Sequence, residues 1–400
     1  MLFRVFIICA LCCCAKAAPS YSLSAIAKAL NTESTIPAQS KPLLQSSRGI
    51  INFSPTSSEL AQKIAQKTPL VVRILGDSHI AGDFFSHRLR QLLFKDYSLG
   101  FVYPLYPAYH QNIALKYESS NFEILNSRTD ALDDYPLGGI VARPTELPAH
   151  ISLTPNIKSD KLLSKIIFKS PNKEGVIIIE DAAQQRFIIS AKNPFVWQIL
   201  TLKLQYPITL RALNEKVLLG GFFIYDEGGN NIVENLGING ARADIWLKWD
   251  KRLIQEELGL LPADLFILCY GSNDALYDTF NESVFLKNYS DLIDTIRAAN
   301  PKAQILLLAP PPVVKKVANA TKRRKAVYKL TKNAKAVKSA IHKLAKQKQT
   351  LLFDMEDFIN ESGGKKKWEQ ANLAKPDVHL LPLGYRLIAD KIFYELHKLK

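Results

Sequence analysis

Gly76-Asp77-Ser78-His79 puts a hydroxyl where chemistry can use it. The four residues follow the apolar run Leu70-Val71-Val72-Arg73-Ile74-Leu75 and precede a segment of helical periodicity. Ser78 therefore falls on a sharp strand-to-helix turn, its side chain at the end of a sheet and its N–H aimed into an anion site. A serine hydroxyl is a weak nucleophile until a base takes its proton, and His379 is the side chain suited to do so near neutral pH. An acid must hold that imidazole in one tautomer. Asp377 lies two residues before it, a spacing that in an extended loop turns both side chains to one side with Cα atoms ~6.6 Å apart. Two further turns carry donors. Asn235-Leu236-Gly237-Ile238-Asn239-Gly240-Ala241 is expected to open the helix after it, leaving the Gly240 N–H free near the positive end. Gly271-Ser272-Asn273-Asp274 follows a strand over 265–270 and directs the Asn273 amide toward the same space. Each turn taken singly also suits ordinary helix-start capping.

Such residues converge only if the elements between them form one sheet. Ser58 reads as the cap of a short helix to Lys67, and Phe85, Leu89, Leu92 and Leu93 recur at helical spacing after the Ser78 turn. From Asn235 onward, apolar strands over 265–270, 305–309 and 351–353 alternate with amphipathic segments. These are marked by Ile245, Trp249, Leu253 and Leu258, by Phe285, Tyr289, Leu292 and Ile296, by Leu330, Val337, Ile341 and Leu344, and by Leu387, Ile388 and Ile392. Short continuous apolar strands alternating with helices imply a parallel sheet covered on both faces, with ligands bound beyond the carboxyl ends of the strands. Residues 101–225 differ in texture. Runs such as Val176-Ile177-Ile178-Ile179 and Phe195-Val196-Trp197-Gln198-Ile199-Leu200 are β-branched and aromatic without helical periodicity, which predicts a β-rich insertion that either binds an extended substrate or shields an edge.

Residues 1–17 combine a basic Arg4, an apolar stretch and Ala15-Lys16-Ala17, the pattern of a secretory signal peptide too short to cross a bilayer. Export is therefore expected, with Cys269 as the one thiol left after cleavage and no intrachain disulfide. Leu11-Cys12-Cys13-Cys14 leaves lipid anchoring as an alternative. With 47% hydrophobic and 22% charged residues the chain is of ordinary globular composition. No later apolar stretch is long enough for a membrane span, and nucleic acid is a poor partner for an exported chain without a binding motif. The net charge of +15 is concentrated over 315–348, where thirteen Lys/Arg occur without an acid on an expected basic helix. That face is either simply solvated or attracted to a polyanionic surface. The histidines show no zinc-binding spacing, so neither metal nor cofactor is expected.

Gly76-Asp77-Ser78, the Asn-x-Gly-x-x-Gly element ending in Gly240, Gly271-x-Asn273 and the late Asp/His pair occur in the order that resembles the SGNH (GDSL-type) hydrolases. The resemblance implies a three-layer α/β/α, flavodoxin-like fold, with Ser78 as nucleophile, His379 as base, Asp377 as its acid, and an oxyanion hole from the Ser78 N–H, Gly240 and Asn273. Ser78 and Gly240 are 162 positions apart, room for the insertion. The wording of 76–83, 100–104 and 237–241 is similar to the bacterial peptidoglycan O-acetylesterases, periplasmic enzymes with a carbohydrate-binding-module-like insertion that remove acetyl from the C6 hydroxyl of muramoyl residues. This implies O-acetylated glycan strands as partner and a division into a signal peptide (1–17), a lead-in (18–68), a hydrolase domain in two parts (69–100 and 226–400) and the insert (101–225). The family pattern Asp-x-x-His puts Pro376 where its aspartate belongs, so Asp354 or Asp357 stands as the alternative orienting acid. His79 reads as a local loop contact and Asp83 as first-turn helix charge. An SGNH acetyltransferase, a lipase or thioesterase, and a non-catalytic wall-binding protein remain as alternatives.

Overall fold

The computed structural model describes residues 21–158, 161–227, 231–320, 324 and 326–399. The expected signal peptide, with Cys9, Cys12, Cys13 and Cys14, lies outside the described residues. Continuous apolar runs form one sheet: β1 (Ile51–Asn52), β2 (Val71–Gly76), β3 (Ile232–Gly237), β4 (Leu265–Cys269), β5 (Gln304–Ala309) and β6 (Leu351–Asp354), in the order β1-β6-β5-β4-β2-β3. All neighbours are parallel except β1, which pairs antiparallel with β6. Every residue of β2, β3 and β4 is buried, as strands covered on both faces must be. Val72 and Ile74 of β2 face a layer made by α1 (Leu23–Thr32), α2 (Ser57–Gln66), α3 (Phe84–Leu93) and, at the other end of the chain, Pro382–Leu396. Val71 and Leu75 face the opposite layer, made by α4 (Lys251–Leu260), α5 (Glu282–Ala299) and α6 (Ala334–Gln347). The helix Pro382–Leu396 is α7. The layers are α/β/α, and the parallel strands follow the flavodoxin-like order, which reverses direction between β2 and β4.

Several elements differ from the sequence reading. The basic stretch is not one helix: Val314–Ala318 and Val327–Leu330 pair as a hairpin, and α6 begins only at Ala334. Pro310, Pro311 and Pro312 forbid helix before the hairpin, and the buried stripe of Val337, Ala340, Ile341 and Leu344 starts only after it. The segment after Arg242 is broken into a 3₁₀ turn, Ile245–Lys248, and α4, because the Asp250 carboxylate caps Leu253 N–H at 2.8 Å. Within the expected lead-in, α1 buries Ile26 and Leu30 and packs against α7. Thr56, not Ser58, occupies the cap of α2.

Between Gly100 and Tyr225 the chain forms two antiparallel sheets. One orders Arg186–Ile189, Ile177–Glu180, Ile208–Ala212, Ala149–Pro155 and Leu115–Ser120. The other orders Gln198–Gln205, Lys161–Lys169, Leu218–Tyr225, Ile140–Pro144 and Phe122–Asn126, with Gly100–Val102 added to Leu218–Tyr225. Alternation decides which faces meet. Ile151, Leu153 and Leu210 from one sheet and Ile166, Phe168 and Phe222 from the other form a common core.

Two buried ion pairs join this body to the central sheet. Arg73 on β2 pairs across the ladder with Glu234 on β3, and the Glu234 carboxylate also accepts from Phe101 N–H at 2.9 Å. Asp83, expected as a first-turn charge, instead sits inside the protein. It accepts from Arg90 at 2.7 and 2.8 Å, from Asn235 Nδ2 at 3.0 Å and from the Ile113 N–H of the insertion at 2.8 Å. Since Asp83 and Arg90 are both fully buried, Asp83→Ala strands a guanidinium without a counter-charge, and we expect a loss of about 3–5 kcal/mol in urea unfolding; a loss under about 1 kcal/mol would contradict this account.

Candidate active site

The carboxyl ends of β2, β3 and β4 lie side by side, with Gly237 opposite Gly76 and Cys269 opposite Gly76 on the other flank. Three turns therefore open into one place. After β2, Asp77 caps the single helical turn Ser78–Ala81, its carboxylate accepting from His79 N–H at 2.9 Å. The turn packs so closely on the end of β3 that a Cβ at Gly237 would lie 2.4 Å from Ala81 N. Asn235 ties the two together, donating to Ile80 O at 2.9 Å and accepting from Gly237 N–H at 3.1 Å.

Ser78 Oγ lies 3.0 Å from His379 Nε2, and His379 Nδ1 lies 3.2 Å from Asp377 Oδ1. The same Asp377 oxygen accepts from His379 N–H at 2.9 Å. This Asx-turn is how an acid two residues away, one position off the family spacing, reaches the ring. Asp354 serves elsewhere, accepting from His342 at 2.7 Å, from Lys338 at 3.1 Å and from Asp357 N–H; Asp357 pairs with Arg48 and Lys338. Neither approaches His379 as a partner.

Gly240 stands on the other side of Ser78, but not at a helix start. It occupies a turn after β3 with φ +78°, and the next helical element begins at Ile245. The turn is held by Ala241 N–H on Ile238 O at 3.0 Å and by Asn239 N–H on His110 Nε2 at 3.1 Å. Asn273, in the first turn of Ser272–Leu276, donates to Ala241 O at 2.9 Å and more weakly to Asp77 Oδ2 at 3.4 Å. Ser78, Gly240, Asn273 and His379 thus line one open cleft of about 980 Å³. Arg128 and Tyr109 from the insertion, with His110, Gln111 and Lys375, complete its wall; sequence reasoning singled out none of them. The aromatic, proline-rich segment 101–109 was the available signal.

Behind the cleft lies a buried polar layer. His79 contacts Tyr385 Oη and Ser272 Oγ, each at 3.0 Å, and Tyr385 Oη in turn accepts from Leu380 N–H at 3.3 Å. The residues after Ser78 and after His379 are thereby linked. Burial, with the nearby His379 and Lys365, pushes His79 down to about 3, so it stays neutral. Burial pushes Asp77 up to about 8, against the His79 N–H that favours its charge, with the nearby Asp274 carboxyl adding to the rise. Asp274 is itself raised to about 7 by burial.

Family models match two segments: "GDSL-like Lipase/Acylhydrolase family" over residues 223–387 and "Peptidoglycan O-acetylesterase, N-terminal" over 98–209. Among solved structures, a peptidoglycan O-acetylesterase is 27% identical, with a TM-score of 0.73 over 87% of this chain and 98% of that one. A GDSL-like lipase from Bacteroides thetaiotaomicron is 17% identical, with a TM-score of 0.31 over 42% of this chain and 77% of that one. A carbohydrate-binding module from Cellvibrio mixtus lichenase 5A is 13% identical, with a TM-score of 0.20 over 27% and 89%. No curated protein sequence matches.

The raised Asp77 carboxyl makes a signed prediction. Between the ordinary value of 3.8 and about 8, the folded chain holds a proton that the unfolded chain has released, so stability falls as pH rises through that window. Asp77→Asn keeps an equally good cap, and its Tm should fall less steeply than that of the parent from pH 5 to 8; parallel curves would show that Asp77 is not the group responsible.

With the strand order and both family matches in agreement, the chain is an esterase that carries a GDSL-like lipase/acylhydrolase domain and a peptidoglycan O-acetylesterase N-terminal domain.

Proposed function

We propose that this protein is a periplasmic serine esterase that removes O-acetyl groups from the C6 hydroxyl of muramoyl residues in peptidoglycan, with residues 101–225 as an inserted glycan-facing domain. The observation that carries the reading is the line Ser78 Oγ, His379 Nε2 and His379 Nδ1, Asp377 Oδ1 at 3.0 and 3.2 Å, opening on a cleft shared by Gly240, Asn273 and the insertion. The likeness to a peptidoglycan O-acetylesterase over 87% of the chain supports the substrate.

The chemistry follows from the positions. His379 takes the Ser78 proton as Oγ attacks the acetyl carbonyl carbon, and Asp377 stabilises the imidazolium that forms. The oxyanion is held by the Ser78 and Gly240 N–H groups and by Asn273 Nδ2, whose long contact with Asp77 is the one that gives way. His379 returns its proton to the departing sugar oxygen, leaving acetyl on Ser78. Water, activated by the same histidine, then releases acetate and restores the hydroxyl. No helix among the described residues is long and apolar enough to cross a membrane.

Acetate release from O-acetylated peptidoglycan tests the reading, alongside p-nitrophenyl esters from acetyl to octanoyl. We expect release that Ser78→Ala abolishes, with acetyl the preferred chain. Activity mainly on long esters would point to a lipase, and none on any ester to a transferase or a wall-binding protein. Asn273→Ala should lower kcat by ~10²–10³ with KM little changed, and full turnover would remove it from the oxyanion site.

A further inference from the structure

The cleft carries two cations that the ester chemistry does not use. Arg128, in the turn after the strand Phe122–Asn126, lies directly over the Gly240 turn: a Cβ at Gly240 would be 2.9 Å from Arg128 Cδ, 3.1 Å from Nε and 3.4 Å from Cζ. The positive φ of +78° is what favours glycine here, and it leaves the guanidinium room beside the Gly240 N–H. Lys375 lines the same cleft, its N–H bonded to His379 O at 3.0 Å. Both residues are exposed, and among the described residues neither side chain has a hydrogen-bond or ion-pair partner. Among the described residues no aspartate or glutamate lines the cleft. Elsewhere this protein matches cation to acid carefully, burying Arg73, Arg88 and Arg90 each against a carboxylate. Tyr109 projects at the rim with 91% of its surface exposed, in a left-handed backbone conformation (φ +66°). An exposed ring beside unpaired cations suits a sugar face that carries a negative charge.

We propose that Arg128 and Lys375 form a carboxylate-binding subsite that selects acetylated sugars bearing an acidic substituent, with Tyr109 as the platform for the ring. The proposal rests on the peptidoglycan reading above and deepens it. A muramoyl residue acetylated at C6 carries on C3 a lactyl ether, whose carboxyl is either free or extended by an acidic peptide. A carboxylate on that arm is the feature that distinguishes it from neutral acetylated glycans. Arg128 offers the planar fork such a group accepts, and Lys375 a second positive point.

The test compares kcat/KM of the wild type, Arg128→Gln, Arg128→Lys and Lys375→Gln on three substrates. These are acetylated peptidoglycan strands with stem peptides, the same strands stripped by an amidase to the free lactyl group, and a neutral 6-O-acetylated chitooligosaccharide. We expect Arg128→Gln to lose about tenfold to a hundredfold more on the charged strands than on the neutral ester, mainly through KM. Arg128→Lys should recover part of that difference, Lys375→Gln should show a smaller loss of the same kind, and high salt should narrow the wild-type preference. A selective loss on both kinds of strand assigns the contact to the lactyl arm itself, and a loss confined to peptide-bearing strands assigns it to the stem; either supports the subsite. Equal losses on charged and neutral substrates, with unchanged Tm, would overturn the subsite while leaving the esterase reading standing. A wild type that cleaves the neutral ester and neither strand would overturn both.

Discussion

The carboxylate of Asp83 is the point on which the site is hung. It is wholly buried, and a buried charge persists only where donors surround it. The four that do so come from three places: the Arg90 guanidinium on α3, the Asn235 amide on β3 and the Ile113 N–H of the insertion. Asn235 then reaches back to Ile80 O in the Ser78 turn. One satisfied charge thereby sets the distance between the Ser78 turn, the strand that delivers Gly240 and the inserted β-body that delivers Arg128 and Tyr109. The Arg73–Glu234 pair repeats the device deeper in the sheet, with Phe101 as the attached residue.

Around that knot burial favours the neutral forms of the polar groups. Burial raises Asp77 to about 8 and Asp274 to about 7 and lowers His79 to about 3, so the layer beneath Ser78 carries less charge than its residue types would in water. On the proposed mechanism this matters, because the site must stabilise a developing oxyanion. An ionised Asp77 within reach of Asn273 would oppose the negative charge that the same amide is proposed to receive.

What could be read from the sequence was what repeats at short range. The runs in β2, β4 and β5 are apolar but for Arg73 and Gln304 because both faces are covered, and the turns after β2 and β4 carry Gly-Asp-Ser and Gly-Ser-Asn in an order that, with the later motifs, carries the resemblance. Ser78, Gly240, Asn273, His379 and Asp377 were legible for that reason. Long-range polar matching was not. Asp83 looks like any first-turn acid until Arg90, Asn235 and Ile113 are brought around it in space. Arg128 has no local signal at all, because its relation to Gly240 exists only once the insertion docks. The helix expected over the basic stretch failed on a competition between periods: Val314, Val317 and Val327 suit strands, and helical spacing of buried residues begins only at Val337.

The seating of α1 against α7 joins the two ends of the described chain, and 301 residues separate Ser78 from His379. On the roles proposed here, a chain emerging from its amino end displays the nucleophile early and its base almost last, after the whole β-rich body and all six central strands. Catalytic competence is therefore acquired in a single late event rather than by degrees. On those roles, a chain cut short before His379 holds a serine without its proton acceptor and cannot act on an ester.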